Sequence, residues 1–209
     1  MCIHHRVVPI IITRHRDTRV NRNHFANILL LLLGACAASP GPTVHDKLDA
    51  KTGSTVSVIP EPLELLTSGY IGTHTGAFAY LGPFEIDQMG ARTLYLWILL
   101  PHDVSASVLP IIHCDDTPVT LPVLPVLSGG LAGMGLAEPP YGAPDPWGAQ
   151  WYFALDDATL ACLARAHQIT FDIPNARGDM VHFMAESAKN AAGFPTLETF
   201  AARRGTKGL

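Results

Sequence analysis

Residues 46–209 predict a mainly β domain, a β-sandwich-like body with one or two small packing helices. Three observations predict it. Short runs in which Val, Ile, Thr and aromatic residues alternate with polar ones recur through this region, bounded by Gly, Pro, Asn and Asp. Two pairs of such runs flank turn-forming sequences, "MGAR" at 89–92 and "PNARGD" at 174–179. Helical periodicity is confined to two short stretches near the C-terminus. An α+β domain built on an open antiparallel sheet is the alternative.

The elements follow in order. "GSTVSVIP", residues 53–60, alternates Thr and Ser with Val and Ile and reads as a strand. Residues 76–101 give two extended runs about "MGAR", a hairpin. Tyr95 and Trp97 fall on one face of the second run, Leu94, Leu96 and Ile98 on the other. Such a strand is covered on both faces. "SVLPIIHC" at 107–114 and "PVTLPVLPV" at 118–126 are further short strands. The second carries Pro118, Pro122 and Pro125, which lack the ladder donor and place it at a sheet edge or outside regular structure. Residues 128–150 form a long Gly/Pro loop. "QWYFAL" is a strand, after which Asp156 or Asp157 caps a short helix with Leu160, Leu163 and Ala164 on one face. "QITFDI" and "MVHFMAE" make an antiparallel hairpin with Ile169, Phe171 and Ile173 on one side. A closing helix, "TLETFAARR", starts after Pro195 and ends in arginines suited to its negative pole.

Ahead of this body lies a targeting signal. Eleven apolar-leaning residues, Phe25 to Ala35, run into Cys36. A membrane-spanning helix needs about 20, so this run is too short to span. With Arg14, Arg16, Arg19 and Arg22 before it and small residues at its end, it has the three parts of a secretory signal. Leu33-Gly34-Ala35-Cys36 resembles the lipobox of bacterial lipoproteins, and the chain looks like a bacterial lipoprotein precursor: residues 1–35 signal peptide, 36–45 a Pro/Ser/Gly tether, 46–209 one globular domain. The resemblance implies lipidation at Cys36, and Ala37 after it implies the outer membrane. Ala35-Cys36-Ala37 is also a site for ordinary signal peptidase, which would release a soluble periplasmic protein. The segment before the signal is longer than an n-region, and a start at Val20 would remove most of it. His4, His5, His15 and His24 there are not read as metal ligands.

Five of the 14 Lys and Arg but one of the 18 Asp and Glu precede Cys36, leaving the mature part at −8. An acidic domain without a basic stripe has no electrostatic footprint for nucleic acid or for anionic head groups. Membrane attachment would rest on acyl chains at Cys36.

Chemistry is sparse. "HCDD" at 113–116 sets imidazole, thiol and carboxylates side by side, but neighbours on a strand face opposite ways, and a polar turn is the simpler reading. "MVHFM" puts Met180, His182 and Met184 on one strand face, a soft ligand set of the kind Cu(I) prefers. Together with His113 these are the only metal candidates; a satisfied core histidine among gap-filling methionines is the competing reading. Cys114 and Cys162 remain after lipidation of Cys36 and form a candidate disulfide in an oxidising compartment, against two buried free thiols. "SGGLAGMG" lacks the Lys of a phosphate loop, and no G-x-S-x-G, H-E-x-x-H or paired C-x-x-C is present. Tyr141, Trp147 and Trp151 either form a recognition surface or pin the long loop to the domain. No catalytic residue and no cofactor are expected. The expectation is a lipid-anchored envelope protein with a non-enzymatic structural or binding role; the alternative is a periplasmic hydrolase or copper-handling protein.

Overall fold

A computed structural model describes residues 43–67, 78–101, 110–119, 121, 130–143, 148–175, 177–187 and 193–207. The lipobox with Cys36, the arginines before it and Trp147 lie outside the described residues. The described chain forms β1 (His45–Leu48), β2 (Thr55–Val58), β3 (Leu63–Thr67), β4 (Phe78–Gln88), β5 (Ala91–Leu100), β6 (Ile111–Cys114), β7 (Thr117–Val119), α1 (Gly130–Gly133), β8 (Ala149–Ala154), α2 (Asp157–Arg165), β9 (Gln168–Pro174), β10 (Met180–Glu186) and α3 (Gly193–Lys207). The domain is mainly β, as its alternating runs predict. Every strand belongs to one hydrogen-bonded antiparallel sheet, in the order β1-β2-β4-β3-β10-β9-β6-β7, with β5 on the other edge of β4 and β8 beyond β5. Among the described residues no helix is long and apolar enough to cross a membrane.

The β4–β5 hairpin is the spine. Gln88 pairs with Ala91, so Met89 and Gly90 alone make the turn, and both have positive φ. That is the requirement of a type I′ turn, whose twist matches the strands it joins. β2 and β3 both pair with the same edge of β4, Val58 opposite Phe84 and Leu63 opposite Leu81. Four residues, 59–62, thus face two on β4, and the two prolines among them supply the break between the strands.

Pairing register sorts the side chains onto two faces. One carries Leu81, Leu96, Ile98, Leu63, Leu65, Phe153, Phe171, Ile173, Phe183 and Cys114, all buried. Both longer helices lie on this side, where α2 contributes Leu160 and Leu163 and α3 Phe194, Leu197 and Phe200. Asp156 is the α2 cap, its carboxylate accepting from the Thr159 N–H, and that bond holds its carboxyl below the usual range. α3 begins at Gly193, earlier than the sequence predicts, with Pro195 inside its first turn, where a missing N–H costs nothing. Its arginines do more than complement a dipole. Arg204 pairs with Glu85 of β4 and Asp157 of α2, and Arg203 with Asp46 of β1, so the helix is fastened to the sheet and to its neighbour.

β7 pairs only with β6, which puts Pro118 at a sheet edge as its missing donor requires. β1 begins at His45, inside the predicted tether, and β3 is a strand without a sequence expectation. β3 alternates buried Leu63 and Leu65 with exposed Glu64 and Leu66. Its two consecutive leucines hide that period of two.

Candidate functional site

The second face of the sheet is treated differently in its two halves. Over β2, β4 and β5 it is covered by residues 130–143. Tyr141 stacks near Trp97 with ring centroids 5.0 Å apart, and it lies over Gly82, where a Cβ would come within 2.6 Å of its ring. The Tyr141 hydroxyl donates to the Pro83 carbonyl and accepts from the Ile59 N–H. Burial pushes its phenol well above the usual range. Gln88 donates to the Met134 carbonyl and Lys47 to those of Pro139 and Pro140, closing the margin of this cover. Of the three aromatic residues around the long loop, Tyr141 therefore pins it to the domain, and Trp151 is buried on the opposite face beside Phe153.

Over β3, β10, β9 and β6, and at the start of β4 beside β3, the same face is open among the described residues. Leu66 is 49% exposed, Phe78 44%, Ile111 53% and Met180 61%. The register places all four on this side, Leu66 opposite Phe78 and Ile111 opposite Asp172. Between them stand Asp172 and His182, directly opposed across β9 and β10, with Asp172 Oδ1 2.6 Å from His182 Nδ1. In the neutral imidazole this carboxylate holds the proton on Nδ1 and leaves Nε2 as the acceptor nitrogen. Gln168 donates to the Met184 thioether one row along.

Met180, His182 and Met184 share a strand face, as their spacing predicts. His113 is on the same face but opposite Thr170, one full strand beyond β9 from His182, or about 10 Å at the usual strand spacing. His182 is half-exposed and held by a carboxylate, so it is not the satisfied core histidine of the competing reading. Asp172 is a site residue without a sequence expectation. The signal for it exists: once the 174–179 turn is closed by pairing Pro174 with Met180, counting outward puts Asp172 against His182.

"HCDD" is divided by the sheet. Cys114 points into the core and His113 away from it. Asp115 sits in the left-handed region in the β6–β7 turn, and its carboxylate accepts from the His167 and Gln168 N–H groups, tying that turn to the start of β9. No nucleophile and base meet there. Among the described residues no three His, Cys, Asp or Glu side chains converge as a metal ligand set. A cleft of about 170 Å³ beside Lys47, Lys51, Asp49 and Glu138 commits Lys47 to two carbonyls and Lys51 to Glu138. The chain matches no family model, no curated protein and no solved structure.

Proposed function

We propose that this chain is a lipid-anchored envelope protein, held by acyl chains at Cys36 on the periplasmic side of the outer membrane, whose domain works by binding a protein partner rather than by catalysis. One observation supports the binding role above others. Leu66, Phe78, Ile111 and Met180, four of the large apolar side chains that are exposed among the described residues, project from one face of one half of the sheet. An exposed apolar patch among polar side chains is the usual composition of a protein contact surface. A small ligand would call for a concave pocket instead. The lipobox resemblance supports the anchor, and the split of His113 from Cys114 argues against a hydrolase.

The test places a photo-crosslinking residue at Ile111 or Met180 in living cells, with Leu48 on the opposite face as control. A single defined adduct from Ile111 and Met180 and none from Leu48, lost in the Met180→Asp variant, is the expected result. Equal adducts from both faces would overturn the surface, and Cys36 recovered without acyl chains would overturn the anchor.

A copper-handling role is the second reading, favoured by Asp172 on His182: a carboxylate that orients an imidazole is a common outer partner of a metal ligand. Titrating the protein with Cu(I) against a chromophoric chelator decides it. Binding that falls at least tenfold in His182→Ala supports copper, and binding unchanged in that variant removes the site.

A further inference from the structure

We propose that Cys114 and Cys162 form an intramolecular disulfide that fastens α2 to the end of β6. Cys114 closes β6 on the core face, opposite Ile169 in the register. Cys162 lies on α2, packed against the same core; both are free thiols in this structure, and their side chains are close enough to interact with each other. The frame around them is held from both sides. The Asp115 N–H donates to the Gln168 carbonyl, the Asp115 carboxylate takes the His167 and Gln168 N–H groups, and the Ala166 N–H returns to the Cys162 carbonyl. The end of β6 and the segment that leads from α2 into β9 are thus held at one place. A disulfide needs this kind of backbone placement more than it needs proximity in sequence.

The oxidant is another protein's or a small molecule's disulfide, as an envelope thiol–disulfide exchanger supplies; only this part rests on the envelope reading. Cys162, the more exposed thiol, attacks first as its thiolate. One oxidant sulfur bonds to Cys162 and the other leaves as a thiolate. Cys114, deprotonated, then attacks the Cys162 sulfur, the protein S–S bond forms, and the mixed disulfide breaks. Two thiols lose two protons and two electrons, and one oxidant disulfide becomes two thiols. Burial pushes the Cys114 thiol up, so the second attack is fastest while the chain is folding and slow once β6 is covered.

The experiment refolds the mature chain with oxidised glutathione, alkylates free thiols under denaturing conditions, and maps the unreduced digest by mass spectrometry. A Cys114–Cys162 peptide is expected, with both cysteines protected from alkylation until reductant is added. The bond closes a loop of about 50 residues, so reduction should lower Tm by roughly 10 °C, and Cys162→Ser should be indifferent to reductant. Quantitative alkylation of both cysteines in the refolded chain would overturn the proposal. Cys162→Ser keeps the test valid if Cys114→Ser does not fold. A bond that forms on refolding but is missing from protein taken directly from cells supports the pairing and overturns the envelope placement instead.

Discussion

The two halves of the sheet carry similar cores on one face and opposite solutions on the other. Over β4 and β5 the second face is closed by Tyr141, and Trp97 and Leu99 are buried there as Leu96, Ile98 and Leu100 are on the core face. Over β10, β9 and β6 no described residue closes it, and Met180, Ile111 and the Asp172–His182 pair are on display. The difference teaches that stability and surface are separated in this domain: one half spends its second face on packing, the other keeps it available.

Breaking the cover should have the largest effect. Tyr141→Ala removes a buried ring and leaves the Pro83 carbonyl and the Ile59 N–H unpaired, and should cost about 4 kcal/mol in urea unfolding. Gly82→Ala pushes a methyl into the same ring, with an expected loss of about 2 kcal/mol. Combined with Tyr141→Ala, most of that loss should vanish; strictly additive costs would show that the ring is not what occupies the space over Gly82.

Tyr141→Phe keeps the ring and loses the hydroxyl, for about 2 kcal/mol at neutral pH. It also changes the pH profile. The folded phenol is held neutral by burial, so its contribution is complete below the ordinary tyrosine value and is lost as pH rises through and beyond it, when the unfolded chain ionises first. The wild type should therefore lose stability more steeply between pH 10 and 12 than the Phe variant; parallel slopes would mean the hydroxyl is not buried in solution. On the open half, Met180→Ser and Ile111→Thr should each change stability by no more than about 0.5 kcal/mol. A larger loss would show that this face is covered, and the contrast between the halves would fail.

Local patterns were readable where one residue type has one physical use. The strands of both hairpins, the cap at Asp156, the edge position of Pro118 and the double burial of β5 all follow from period, turn chemistry or a missing donor. What escaped depends on pairs distant in the chain. β3 was hidden because Leu65 and Leu66 blur its alternation, and β1 because "HDKL" is polar and earns its place by pairing with β2. Asp172 required the hairpin register, and the roles of Arg203 and Arg204 required knowing which carboxylates α3 would meet. Cys114 and Cys162 were legible as a pair by count, but their adjacency is a product of tertiary placement. The same holds for the open face, since exposure of Ile111 cannot be told from burial of Ile112 until the sheet has sides.

One edge of β4 serves two partners, β2 with its C-terminal half and β3 with its N-terminal half. Neither partner can be peeled away without exposing amides of the strand that also holds the other. Hydrogen exchange in Leu81 and in Phe84 should then report a single opening event, with closely similar protection, and fraying of the region should begin at β1 or β7 and stop on reaching this shared strand.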